Sequence, residues 1–252
     1  MVRPFRYNSF SMKLTTLLLL SLGAMALAQP GNRPADEFKT SAGVLKITPI
    51  HHASLMISAG GQVVQIDPTP ANLYDGMPAA DLILITDIHG DHMDPAAIAK
   101  VKKPSTVILA PAAVAKTVTD AIVLQNGKST TVGRWGVEAV PMYNLKRGPA
   151  AGQLYHEKGR GNGYVITYGG LRIYIAGDTE NIPEMRALKN IDVAFVPMNL
   201  PFTMTPEEAA EAVKAFHPKV VYPYHYRGSD LKVFQKALEG TGIEVRLRDW
   251  YS

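Results

Sequence analysis

The sequence predicts an α/β fold of the α+β kind, in which two sheets pack face to face and helices cover their outer sides. Three observations predict it. Short β-rich runs give way to strand–helix units, that order occurs twice along the chain, and no linker separates the halves. The 252 residues suffice for one good-sized domain, and 46% apolar with 19% charged residues is a globular composition.

In the first half, residues 44–48, 54–58 and 62–66 read as consecutive antiparallel strands, with Gly60-Gly61 making the second turn. Residues 82–86 form a buried apolar strand. Asp94-Pro95 then opens a helix, the acid as N-cap and the proline in the first helical position. Residues 106–110 read as a strand and 112–118 as a short helix. The second half follows suit, with strands at 137–141, 164–168 and 171–176 and a hairpin turn at Gly169-Gly170. A helix at 183–189 and a strand at 193–197 come next. Thr205 and Glu208 are spaced as a capping box for a helix reaching Phe216. A strand at 220–223, a helix at 231–238 and a strand at 244–248 close the chain.

The N-terminus reads differently. Arg3, Arg6 and Lys13 precede an apolar run from Leu14 that ends in Ala26-Leu27-Ala28, the pattern of a secretory signal peptide over residues 1–28. The apolar stretch is short for a bilayer span, so no stable membrane anchor is expected after cleavage. Residues 29–42 are polar with two prolines and read as a flexible leader, leaving 43–252 as a single domain, exported to the periplasm or secreted. Cleavage would remove three of the 26 basic side chains and none of the 22 acidic ones. The mature chain is then near neutral, and no basic run remains to suggest a nucleic-acid partner.

Cysteine is absent, which excludes disulfides, iron–sulfur clusters, thiolate zinc sites and thiol catalysis together. Any metal must be held by His, Asp or Glu. Asp87-Ile88-His89-Gly90-Asp91-His92 follows the buried strand and places four candidate ligands within six residues, on a turn that Gly90 allows to bend closely. Imidazole and carboxylate donors suit zinc, manganese or iron. Taken alone, Asp178 after Gly177 would be a turn residue and His225 in a tyrosine-rich strand would be packing. Beside this cluster, at the ends of apolar strands, both become candidate ligands.

At this motif the chain resembles the metallo-β-lactamase superfamily, whose signature is His-x-His-x-Asp-His after a buried strand. Within it, the chain most resembles the ascorbate-phosphate-lactonase-like hydrolases. His52-Ala53-Ser54, Ile66-Asp67-Pro68, Ile175-Ala176-Gly177-Asp178-Thr179 and Pro223-Tyr224-His225-Tyr226 carry the resemblance through the rest of the chain. It implies a four-layer αββα sandwich with two divalent ions at one edge, zinc or manganese, with iron a further candidate. By resemblance Asp87 and His89 belong to the first ion, Asp91, His92 and His225 to the second, and Asp178 bridges both. His52 faces the metal edge, and His52 and Asp91 are the expected catalytic residues.

Two departures from the signature matter. Asp87 stands where its first histidine belongs, a harder ligand that leans the first site toward manganese or iron. Asn144 stands where a further histidine is expected, after Ala139-Val140-Pro141-Met142-Tyr143. His156, at the head of the glycine-rich stretch 157–163, is the expected replacement ligand. That stretch reads either as an anion cradle or as a hairpin loop. His217, before Pro218 at a helix end, reads as structural. Arg227, Tyr224 and Asn144 are the candidate substrate-binding residues. Arg227 can equally be a surface cation, and Tyr224 core packing.

The expected activity is hydrolysis of a small ester or lactone by water activated between the two ions. Phosphodiester cleavage on the same fold and a non-catalytic periplasmic metal- or ligand-binding module are the alternatives. Gly-x-Ser-x-Gly is absent, and without a cysteine ligand antibiotic hydrolysis is disfavoured.

Overall fold

The computed structural model describes Met1 and residues 33–251. The expected signal peptide, apart from Met1, and residues 29–32 lie outside the described residues. Two seven-stranded sheets are present. The first runs, in spatial order, β1 (Asp36–Thr40), β2 (Gly43–His51), β3 (Ser54–Ala59), β4 (Gln62–Ile66), β5 (Leu82–Leu84), β6 (Val107–Ala110) and β7 (Ile122–Val123). The second runs β8 (Ser129–Val132), β9 (Trp135–Met142), β10 (Gly161–Tyr168), β11 (Leu171–Ile175), β12 (Val193–Pro197), β13 (Val220–Tyr224) and β14 (Glu244–Val245). In each sheet the first four strands pair antiparallel and the rest join in parallel. The halves thus share one topology, as the repeated order of strands and helices predicts.

Helices α1 (Pro95–Val101) and α2 (Ala112–Ala115) serve the first sheet. Helices α3 (Pro183–Arg186), α4 (Pro206–Phe216) and α5 (Leu231–Ala237) serve the second. Each crossover between parallel strands must cover a sheet face, which is why these strands are apolar on both sides. Successive side chains then point into different cores. Leu82 and Leu84 join the core between the sheets, whereas Ile83 and Ile85 pack outward with Ala97, Ile98 and Val101 of α1. Phe195 faces inward, and its neighbours Ala194 and Val196 meet Val213 and Phe216 of α4. The result is a helix–sheet–sheet–helix sandwich.

The caps read from sequence are present. Asp94 accepts from Ala96 N–H at 2.9 Å, and Thr205 and Glu208 form the reciprocal capping box. Two expectations need correction. The leader is not wholly irregular, because residues 36–40 form β1 on the edge of the first sheet. Only Phe38 packs inward there, and Asp36 is gripped by Arg248 from the far end of the chain, a partner local sequence cannot reveal. Strands β7 and β8 were not anticipated, being short edge strands of exposed or polar residues. Among the described residues no helix is long and apolar enough to cross a membrane.

Phe195 is fully buried between the sheets and stacks on Tyr222 with ring centroids 4.8 Å apart. Phe195→Ala should cost about 3–5 kcal/mol, read as a lower urea midpoint with an unchanged denaturant slope. A midpoint within error of wild type would show that this core relaxes around the loss.

Candidate metal centre

The candidate ligands gather where strands of both sheets end. The turn Thr86–His92 follows β5, Asp178 follows β11, His225 follows β13, and His52 sits in the turn between β2 and β3. Among the described residues five non-glycine positions have positive φ, and His52 (52°), Asp67 (47°) and His225 (47°) are three of them. Left-handed backbone at such residues costs energy and survives where surrounding structure enforces it, typically at functional sites. Gly177 (φ 66°) does the same for Asp178, since a Cβ there would stand 2.6 Å from Met142 Sδ.

Asp178 is the centre of the arrangement. Its Oδ2 lies 3.3 Å from His92 Nε2 and 3.2 Å from His156 Nε2, and its Oδ1 lies 3.4 Å from His225 Nε2. Each of these residues is almost wholly buried. The tautomers follow from the other ring nitrogens. Asp67 accepts from the Thr86 N–H at 2.7 Å and the Thr86 hydroxyl at 2.6 Å, so it is held to receive His92 Nδ1–H at 2.8 Å. Asn144 Oδ1 accepts from the His156 backbone N–H at 2.8 Å and from its Nδ1–H at 2.7 Å. Both imidazoles therefore turn Nε2 toward a carboxylate.

Imidazole nitrogens converging on a buried carboxylate in a dry cavity call for positive charge between them, a proton or a metal ion. His92 Nε2 and Asp178 Oδ1 are buried with no hydrogen-bond partner among the described residues, as ligand atoms are before a metal arrives. Electrostatics agree. Burial pulls the His92 pKa down, but Asp178 and Asp67 outweigh it and hold it well above the ordinary value. Burial would also raise Asp178, yet His225 and His92 keep it well below the carboxylate range. The cavity is built around positive charge.

Asp91 completes this second cluster. Its Oδ2 is 3.2 Å from His52 Nε2 and 3.3 Å from His225 Nε2, and its side chain is 47% exposed on the open side. Burial pushes His52 down to about 4, against the pull of Asp91, so it is neutral near pH 7. Tyr251 OH accepts from the Tyr226 N–H at 3.0 Å and stands 2.7 Å from His52 Nδ1. Its one proton then serves Nδ1, and His52 donates from Nε2 to Asp91.

The first cluster is Asp87, His89 and His156. His89 Nδ1 lies 2.9 Å from Asp87 Oδ2, and His156 Nε2 lies 3.9 Å from that oxygen. Both Asp87 oxygens also accept from Arg160.

The β-lactamase superfamily domain matches residues 46–225, which span all of this site except Tyr251. The chain belongs to the metallo-β-lactamase superfamily. Within it, a metal-dependent hydrolase of Thermococcus onnurineus is 34% identical over 224 residues, covering 80% of this chain and 95% of the relative. A crystal structure from Parabacteroides distasonis, also named as a metal-dependent hydrolase, is 45% identical, with a TM-score of 0.82 over 87% of this chain and all of that one. A metallo-β-lactamase-fold protein of Bacillus subtilis shares the fold at 15% identity, with a TM-score of 0.67 over 81% of this chain and 96% of its own. The chain thus sits in a family of metal-dependent hydrolases with the αββα fold. These relatives are not named as lactonases, so the narrower branch rests on the sequence resemblance alone.

Against the superfamily signature, the structure brings His52, Asp87, His89, Asp91, His92, His156, Asp178 and His225 together. It removes Tyr224 and Asn144 from the substrate side. Tyr224 is fully buried in the inter-sheet core, its hydroxyl accepting from Gly177 N–H at 2.8 Å. Asn144 is buried behind His156, with its amide donating to Phe202 O at 2.8 Å. Arg227 is exposed over the Tyr251 ring, 5.5 Å from its centroid. His217 caps α4, as expected of a structural residue, with Nε2 3.1 Å from Thr241 O. The glycine-rich stretch forms a turn into β10 that presents Arg160 to Asp87.

Arg160 and Tyr251 carry no signal in the sequence, and Asp67 stands there only as part of Ile66-Asp67-Pro68, with no role assigned to it. Asp67→Asn should keep the fold but lower metal affinity about 10–100-fold, because His92 loses the acceptor that fixes its tautomer. Calorimetric titration of the metal-free protein checks this, and unchanged affinity would show that His92 needs no such support.

Proposed function

We propose that this metal-dependent hydrolase opens a small ester or lactone, with its principal divalent ion, zinc or manganese, held by His92, Asp178, His225 and Asp91. The observation that carries the reading is the Asp178 carboxylate, buried with an unpartnered oxygen and faced by imidazole Nε2 atoms at 3.2–3.4 Å. Bound there, a divalent ion supplies Lewis acidity and brings the acidity of water toward neutral pH.

The protein's own residues do the rest. Asp91 accepts a hydrogen from water on the open side and turns its lone pair toward the substrate carbonyl. His52 holds that carboxylate from behind, and burial keeps His52 neutral, so it donates one fixed hydrogen bond. Its ionised state is secure. Burial would raise Asp91, but hydrogen bonds from His225 and His52 hold it far below the carboxylate range. His89, 45% exposed at the mouth, is placed to meet the leaving oxygen.

Phosphodiester cleavage is the second reading, and the exposed Arg227 guanidinium beside the His52–Tyr251 pair favours it, since arginine suits phosphate oxygens. Turnover of a panel of lactones and aryl esters, compared with bis-nitrophenyl phosphate, separates the two. Lactone or ester turnover should dominate; a phosphodiester preference reverses the substrate class. Hydrolysis of neither by metal-loaded protein would favour a binding module.

His225→Ala should lose the principal ion and nearly all hydrolysis while the chain still folds, because one imidazole at a strand end does not hold the core. Elemental analysis with a thermal melt checks both, and wild-type metal content would reduce His225 to packing.

The N-terminal pattern supports a further proposal, that the chain is exported and cleaved after Ala28. Intact mass of periplasmic material should begin at Gln29, and a mass beginning at Met1 or Met12 refutes it.

A further inference from the structure

The first cluster contains a cation of its own. Arg160 directly precedes β10, and its Nη2 donates to Asp87 Oδ2 at 2.7 Å while its Nε donates to Oδ1 at 3.2 Å. This is the two-point grip in which guanidinium and carboxylate match best. Nη1 donates to Tyr155 O at 2.8 Å, which fixes the side chain from its other edge. The backbone delivers it closely. A Cβ on Gly161 would stand 2.9 Å from Thr86 O, so the chain passes tight against the strand end from which Asp87 projects. The Asp87 side chain is fully buried, and that of Arg160 is only 24% exposed.

Charge separates the two clusters. The second has Asp91 and Asp178 at its donor atoms and Asp67 behind His92, and among the described residues no lysine or arginine pairs with any of the three. A divalent ion there meets a surplus of negative charge. The first has one carboxylate of its own, and Arg160 already neutralises it. Its other donors are the imidazoles of His89 and His156, and Asp178, the one further carboxylate beside it, also faces His92 and His225 of the second cluster. An ion placed there would meet a fixed cation and would have to share Asp178 with the second cluster.

Resting on the reading that the second cluster holds the principal ion, we propose that Arg160 stands in for a second ion. Its guanidinium occupies Asp87, and the protein holds one divalent ion tightly, not two. Asp87 is then the partner of Arg160 and not a metal ligand, and the aspartate in the motif's first position and the glycine-flanked arginine form one device.

The test is titration of metal-free protein with manganese, followed by calorimetry and by electron paramagnetic resonance. Wild type should bind one tight ion per chain and give the signal of isolated manganese. Arg160→Gln should gain a second site, at least about tenfold tighter than any second binding by wild type, with the signal of a spin-coupled pair. Arg160→Lys, which keeps the charge, should stay at one ion. Two ions of comparable affinity in wild type would overturn the proposal without needing any variant. So would an Arg160→Gln protein that binds ions more weakly, since Arg160 would then be supporting Asp87 as a ligand. Wild type that binds one ion, with no gain in Arg160→Gln, overturns this proposal and leaves the hydrolase reading standing. Wild type that binds no ion overturns both.

Discussion

Three imidazole nitrogens converge on one buried carboxylate, which requires positive charge among them, and the architecture of this edge follows from holding them there. Asp178 is dry, and so are His92, His156 and His225. Burying such groups without a partner costs several kcal/mol each, so each must be fixed on a rigid element before it can be useful. Strand ends provide that rigidity. Asp67 and Asn144 settle the tautomers of His92 and His156, and the left-handed turns at His52, Asp67 and His225 aim their side chains inward.

The repeated sheet topology explains how one edge can collect so many groups. Each half ends in parallel strands whose crossovers force their outgoing turns to the same side of the sheet. Packing the sheets face to face sets the turn after β5 opposite those after β11 and β13. Tyr164 OH donates to Ile85 O at 2.8 Å, and Asn162 N–H donates to Thr86 O at 2.9 Å, so the histidine-bearing turn of the first sheet is tied directly to β10 of the second. The site is a property of the interface between the sheets, and neither half could form it alone.

That origin decides what the sequence could reveal. The Asp87–His92 turn was legible because its ligands are contiguous, and Asp178 and His225 because apolar strands point to them. The layering was legible because alternation along Leu82–Ile85 and Ala194–Val196 is a local pattern. Arg160 looked like part of a polar glycine-rich loop, since its partner lies 73 positions away. Tyr251 reaches His52 across 199 positions. Tyr224 was misplaced because a tyrosine beside a ligand reads equally as substrate contact or core. Its hydroxyl turns out to satisfy Gly177 N–H, which holds the turn carrying Asp178. Strand β1 was missed because the ion pair of Asp36 with Arg248 closes the chain end to end.

The same logic bears on how a fold of this kind changes its chemistry. Position 87 lies beyond the end of β5, where its side chain meets His89 and Arg160. Replacing a neutral imidazole by a carboxylate there adds one negative charge in a fully buried place, which is untenable unless a cation accompanies it. A metal ion can be that cation, and so can a guanidinium. Arg160 reaches Asp87 from a different strand without disturbing any ladder hydrogen bond, since it precedes the first residue of β10. In the proposed arrangement an aspartate at position 87 and an arginine at position 160 together take the place of a bound ion. The scaffold fixes where charge must be balanced, and the edge residues decide whether metal or protein balances it.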